Sequence, residues 1–113
     1  MACLFCRIIN RELPAGIVYE DDEVLAFEDT APQAPTHLLV IPKRHIATLN
    51  DLEAGDQALM GRLPLVAARL AKERDLAEDG YRVVMNCNDD GGQTVYHIHM
   101  HLMGGRRFTW PAG

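Results

Sequence analysis

The spacing of apolar residues changes along the chain in a way that separates helices from strands. Leu4, Phe5, Ile8 and Ile9 recur at helical steps and Pro14-Ala15-Gly16 closes the stretch, so a short helix or a single turn is expected within Cys3 to Leu13. Val18-Tyr19 and Val24-Leu25-Ala26-Phe27 are apolar runs separated by Glu20-Asp21-Asp22-Glu23, the pattern of a hairpin. Ala31-Pro32-Gln33-Ala34-Pro35 follows as an irregular link, because each proline fixes its own φ and biases its predecessor away from helix. The link delivers His37-Leu38-Leu39-Val40-Ile41, whose length and β-branched content suit a buried central strand ended by Pro42. From Ala54 to about Asp75, the residues Leu59, Met60, Leu63, Val66, Ala67 and Leu70 build one apolar helical face. Pro64 lacks a backbone donor, which predicts a bend there or a later helix start.

Asp79-Gly80 turns the chain into Tyr81-Arg82-Val83-Val84-Met85, a strand, and Asn86 to Gln93 reads as a loop rich in Asp and Gly. Val95 to Met103 then alternates as a strand should. Tyr96, Ile98, Met100 and Leu102 fall on one face, Val95, His97, His99, His101 and Met103 on the other, and Gly104-Gly105 ends the run. Five strands and one long helix predict an α+β fold, a mostly antiparallel sheet with the long helix covering one face.

Composition narrows the class. A chain of 113 residues with 48% hydrophobic and 24% charged residues suits one globular domain over 1–113 and excludes a disordered or fibrous chain. Eleven Lys plus Arg against sixteen Asp plus Glu give a net charge of −5, which argues against a nucleic-acid binder but not against a small phosphorylated ligand. No apolar run approaches the roughly 18 residues of a membrane span, and the amino terminus lacks a signal-peptide stretch, so no membrane is implied and a cytoplasmic location is expected. Cys3, Cys6 and Cys87 are too few for a disulfide framework, which fits a reducing compartment.

The chemistry concentrates in His97-Ile98-His99-Met100-His101. A strand's two-residue period points these three imidazoles at one surface, roughly 6–7 Å apart in order. One such histidine reads as a hydrogen-bonded structural residue, but three in register are harder to explain that way, since imidazole has no advantage over Thr or Val as a strand former. Two chemistries compete: a metal site, or a neutral imidazole acting as nucleophile at phosphorus. The flanks favour phosphorus. Asp90-Gly91-Gly92-Gln93-Thr94 offers glycines that let backbone N–H groups approach a phosphate and a hydroxyl that can donate to one, and Gly104-Gly105-Arg106-Arg107 follows.

The run Gly91-Gly92-Gln93-Thr94-Val95-Tyr96-His97-Ile98-His99-Met100-His101-Leu102-Met103-Gly104-Gly105 resembles the signature of the histidine triad (HIT) family, in its Hint nucleotide-hydrolase branch. The resemblance extends through Phe27-Glu28-Asp29-Thr30, the segment from Ala31 to His37, Ile41-Pro42-Lys43-Arg44-His45 and Trp110-Pro111. It implies a homodimer whose sheets join into one, hydrolysing purine nucleoside phosphoramidates and aminoacyl-adenylate-type substrates to the monophosphate with no metal in the chemistry. By the same resemblance His99 is the nucleophile and His101 contacts the phosphate, while His97 and His37 orient the site. Asp29 holds the ribose hydroxyls beside Phe27 and Thr30, and Asn86, Gly92, Gln93 and Thr94 cradle phosphate and leaving group. Thr94 departs from the family's usual serine, which bears on leaving-group preference, and Trp110 either reaches the partner's pocket or caps the sheet edge.

Cys3-Leu4-Phe5-Cys6 has the spacing of half a tetrahedral zinc site or of a redox pair, although no thioredoxin-like βαβ pattern accompanies it. Similar HIT proteins and the related galactose-1-phosphate uridylyltransferases complete such a site from the segments that hold His45 and His97 here, which implies a structural zinc on Cys3, Cys6, His45 and His97. Two unliganded thiols are the alternative, and Cys87 reads as a packed thiol. Two rival functions remain: a purine-nucleotide-binding or partner-docking module with little turnover, and a dinucleoside polyphosphate hydrolase of the Fhit type. The Fhit branch usually has glutamine after the second or third histidine of its triad, whereas this chain reads His-x-His-x-His-Leu-Met-Gly-Gly.

Overall fold

The computed structural model describes residues 3–113. Its elements in chain order are α1 (Leu4–Ile9), β1 (Ile17–Glu20), β2 (Val24–Glu28), β3 (Thr36–Pro42), α2 (Gln57–Glu73), β4 (Tyr81–Val84), α3 (Asn88–Gly91) and β5 (Met100–Gly104), with two 3-10 turns leading into α2. The strands form one five-stranded sheet in the order β1-β2-β3-β5-β4, every neighbouring pair antiparallel. This is the expected α+β architecture. Among the described residues no helix is long and apolar enough to cross a membrane.

Alternation along β2 and β3 divides the interior into two layers. Val24, Ala26, Leu38 and Val40 face α2 and pack with Leu63, Val66 and Leu70, while Leu25, Phe27, Leu39 and Ile41 face the other way and pack with Phe5 and Ile8 of α1. Burial on both faces explains why β3 reads as an unbroken apolar run although its sheet is antiparallel. At six residues, α1 is far below the roughly 12–15 needed for a helix to persist alone. It is held instead by Phe5 and Ile8, each of which gains about 1.5–3 kcal/mol on burial.

Four boundaries differ from the sequence expectation. The first helix stops at Ile9 well before Leu13, with Arg11 in a left-handed turn. The long helix starts at Gln57, three residues after Ala54, and continues through Pro64. Pro64 lies on the solvent side, so its ring does not enter the core. The loop after β4 contains the single turn α3, ended by Gly92 at φ 80°. Most consequential, regular pairing of the histidine segment begins at Met100 rather than Val95. Val40 pairs with Met100, and the next residue facing this segment on β3 is Pro42, which has no N–H to continue a ladder. Ile98 instead donates its N–H to the Ile46 carbonyl at 2.8 Å.

The end of β5 is closely packed. A Cβ on Gly104 would lie 2.7 Å from Leu76 Cδ1, so any larger residue there would require the Leu76 side chain to move aside.

Candidate functional site

All five histidines of the chain, His37, His45, His97, His99 and His101, gather on the α1 side of the sheet and its approach. The alternation seen in the sequence survives even though half the segment is irregular: Ile98, Met100 and Leu102 enter the α2 layer, and the intervening histidines turn the other way. Phe5 fixes the local packing, its ring edge-on to Phe27 at 5.3 Å, to His99 at 5.1 Å and to His97 at 6.0 Å.

Beside these rings opens a cleft of about 440 Å³, a size suited to a small ligand. Its apolar wall comes from Phe5, Ile8, Phe27 and Leu39, and its polar end from Asp29, Thr30, Thr94, His99 and His101. The wall formed by α1 and the Leu13–Ala15 connection had no signature in the sequence, because local spacing announces a helix but not the surface on which it lands. Larger hollows exist, such as one of about 550 Å³ beside Asp75 and Arg106, but no histidine lines it.

Hydrogen-bond partners determine which nitrogen of each imidazole carries the proton. Gln33 N–H donates to His37 Nδ1 at 2.9 Å, so the His37 proton is on Nε2. That Nε2–H donates to His101 Nδ1 at 2.8 Å, with Asp29 Oδ2 3.4 Å away, which leaves His101 with its proton on Nε2. His99 Nδ1–H donates to the His97 carbonyl at 2.8 Å, so His99 Nε2 carries an unshared lone pair on a ring that lines the cleft. His97 Nε2–H donates to the Pro42 carbonyl at 2.7 Å, which turns the bare Nδ1 toward Cys3, Cys6 and His45. Register explains the His37–His101 contact: His101 stands opposite Leu39 and His37 opposite Met103, so the two imidazoles are diagonal neighbours on one face. Burial lowers the pKa of His37, and burial with His99 and His37 nearby lowers that of His101 to about 4, so both rings are neutral at pH 7.

The remaining residues expected at the site are distributed unevenly. Asp29 Oδ1 accepts the Ala31 N–H at 2.8 Å, which leaves the carboxylate further acceptor capacity along the cleft. Gln93 is buried, and its side chain is engaged by backbone: Nε2 donates to the Ala47 and Val95 carbonyls at 2.8 and 3.1 Å, and Oε1 accepts the Asn88 N–H at 2.9 Å. Gly92 caps α3, and Asn86 packs its backbone against Gly91, so these two residues support the loop behind Thr94 and do not line the cleft. Trp110 is 82% exposed at the carboxyl end.

On the far side of His97 lies a second cluster. Cys3 Sγ and Cys6 Sγ are 3.5 and 3.6 Å from His97 Nδ1, Cys6 Sγ is 3.4 Å from His45 Nδ1, and the two Nδ1 atoms are 3.2 Å apart. Ligands at about 2.0–2.1 Å (nitrogen) and about 2.3 Å (sulfur) from a tetrahedral cation stand roughly 3.3–3.8 Å from one another, so this donor set has the dimensions of such a site. Burial and the adjacent Cys3 raise the Cys6 thiol pKa, so a cation entering here would displace protons. Cys87, a free thiol, is not part of the cluster.

The comparisons with known proteins agree with this geometry. A family profile described as HIT domain matches residues 10–108. The purine nucleoside phosphoramidase of Escherichia coli K12 is 56% identical over 103 residues, 91% of this chain and 87% of that protein. A HIT family hydrolase from Legionella pneumophila superposes with a TM-score of 0.97 at 55% identity, covering 99% of this chain and 100% of the other. A histidine triad protein from Clostridium difficile superposes at 0.93 with 43% identity, covering 96% and 95%. A shared fold, a profile match over nearly the whole length and this identity together establish that the chain belongs to the HIT, or histidine triad, family.

Proposed function

We propose that this chain, a single HIT domain over 1–113, hydrolyses purine nucleoside phosphoramidates and acyl- or aminoacyl-adenylates to the nucleoside monophosphate through a covalent bond between phosphorus and His99. The observation that carries the proposal is the free lone pair of His99 Nε2 beside the cleft, its Nδ1–H being held by the His97 carbonyl. The activity named for the 56%-identical Escherichia coli protein supports it. The purine lies against Phe5, Ile8 and Phe27, the ribose hydroxyls meet Asp29 next to Thr30, and Thr94 meets the phosphate, with the Gly92–Gln93 turn and Asn86 supporting it from behind. His101, neutral and with its proton on Nε2, donates to a phosphate oxygen, where charge builds during attack. His99 Nε2 bonds to phosphorus as the bond to the leaving group breaks, an amine taking up a proton from solvent as it departs and an acyl group leaving as its carboxylate. The ring becomes cationic, and the His97 carbonyl bound to Nδ1–H stabilises it. Water then attacks phosphorus, releasing the monophosphate and restoring His99.

Zinc is the cation we assign to Cys3, Cys6, His45 and His97. Held by these four protein ligands it would keep no open position for water, so its role would be structural. The His97 ring held there would in turn steady the His97 carbonyl that sets the His99 tautomer. Thiolate ligands suit the reducing conditions of the cytoplasm. The outer edge of β4, with Tyr81 and Val83 exposed at 38% and 42%, suits pairing with the same strand of a second copy, which continues the sheet across a homodimer.

These readings lead to four expected results. His99→Ala loses far more than the roughly 10²–10⁴-fold typical of a lost proton-transfer group, and rapid quenching of the wild-type enzyme with adenosine phosphoramidate yields AMP-modified His99 by mass spectrometry. More than a tenth of wild-type activity in the variant excludes the nucleophile role, and tight AMP binding without turnover favours a binding module. Elemental analysis finds about one zinc per chain; Cys6→Ser loses it and melts lower, whereas metal-free wild-type protein after zinc-replete expression removes the assignment. Because the folded pKa of His101 is about 4 against about 6.5 unfolded, the unfolded chain binds more protons between these values. Its contribution to stability is complete above about pH 6.5 and is lost as pH falls toward 4. Tm therefore declines over that window, less steeply in His101→Asn, and equal slopes for the two proteins contradict the assignment. Finally, sedimentation gives a dimer for the wild type and a monomer for Val83→Lys; a monomeric wild type removes the shared sheet.

A further inference from the structure

The loop that orients His37 is braced at its start, where the Ala31 N–H donates to Asp29 Oδ1. Pro32 and Pro35 lack N–H groups, and Gln33 lies between them. Gln33 is nevertheless the residue whose N–H holds His37 Nδ1, and its side-chain Nε2 donates to the Ala31 carbonyl at 3.0 Å. The remaining contact comes from the other end of the chain: Arg106 Nε donates to the Gln33 carbonyl at 3.1 Å. Arg106 is in turn held in place, its guanidinium carbon 4.1 Å from the centroid of the Phe108 ring. Phe108 also lies 5.1 Å from the Arg82 guanidinium carbon, and Arg82 Nη2 donates to the Thr109 carbonyl at 2.9 Å, so β4 anchors the segment that presents Arg106. Gly105, at φ +93°, lets this turn approach the loop: a Cβ there would sit 2.9 Å from Pro35 Cβ.

We infer that Arg106 is a positioning residue for the reaction, acting through Gln33 on His37 and hence on His101. The contacts close on themselves. β5 carries His101, the turn after β5 carries Arg106, Arg106 holds Gln33, Gln33 N–H selects the Nε2–H form of His37, and that proton selects the Nε2–H form of His101. Without the Arg106 contact the Gln33 carbonyl turns to solvent and its amide moves off His37 Nδ1. His37 then also adopts the form protonated on Nδ1, and in those molecules His101 presents an unprotonated nitrogen to the phosphate oxygens, which repels them. The effect falls on phosphate activation and not on nucleoside binding, because Arg106 does not line the cleft that holds Phe5, Phe27 and Asp29.

The kinetic part of this inference rests on the proposed hydrolysis; the tautomer part does not. The test uses the full chain with Arg106→Met, Arg106→Lys and, as a control on the neighbouring exposed charge, Arg107→Met. Imidazole ¹⁵N shifts report each His37 nitrogen as protonated or bare. Arg106→Met is expected to give mixed His37 signals and to lower kcat on adenosine phosphoramidate about tenfold with KM within about twofold, as for one mispositioned donor. Arg106→Lys, which can still donate to the carbonyl, recovers most of the rate and the single His37 form, and Arg107→Met matches wild type. An Arg106→Met protein with an unchanged His37 pattern overturns the inference whatever its rate. If that variant fails to fold, Arg106→Lys decides in its place, since a doubled His37 pattern with a lysine donor present also overturns it. Should the wild type hydrolyse no phosphoramidate, the proposed function falls while the ¹⁵N pattern still decides whether Arg106 sets the His37 tautomer.

Discussion

The site depends on a shortage of hydrogen-bond partners. Four imidazoles, His37, His97, His99 and His101, meet where one face of the sheet is largely dry, with the exposed His45 at its edge, and each buried nitrogen needs a partner at the risk of a penalty of about 1–3 kcal/mol. Backbone carbonyls of Pro42 and His97, the amide of Gln33, and the rings themselves satisfy most of them. Every bond that satisfies one nitrogen also fixes the tautomer of its ring. The arrangement leaves one bare nitrogen at the cleft, His99 Nε2, and one bare nitrogen at the thiol cluster, His97 Nδ1.

This constraint accounts for the irregular backbone before β5. A regular strand from Val95 would commit its amides and carbonyls to ladder bonds, and the His97 carbonyl would then be unavailable to the ring two residues on. Pro42 ends the ladder at the position where that freedom is needed, and its own carbonyl serves the His97 ring. The fold gives up a few sheet hydrogen bonds and in return orients two imidazoles in opposite directions, one toward the cleft and one toward the cysteine thiols.

Helix α1 links the two halves. It is too short to persist alone, yet it carries Phe5 into the histidine layer and presents Cys6 to the cluster, with Cys3 immediately before it. The cysteine cluster and the apolar wall of the cleft are therefore mechanically connected through this helix. At the opposite end, Arg106 and the His37 loop connect the chain terminus to the polar end of the cleft. The nucleotide site is thus braced by segments from both ends of the sequence.

The sequence by itself determined the element types, the antiparallel α+β architecture and the alternation that separates the triad from Ile98, Met100 and Leu102, because periodicity and proline or glycine punctuation act over a few residues. The triad and the Cys3–Cys6 pair were legible for the same reason. What only the tertiary structure decided was a set of pairings across distance that no spacing announced: α1 as a wall of the cleft, Gln33 on His37, Gln93 tied to the Ala47 carbonyl, and Arg106 closing the circuit. Those outcomes depend on which backbone groups remain unpaired once β3 and β5 have met, and no local pattern of residues records that.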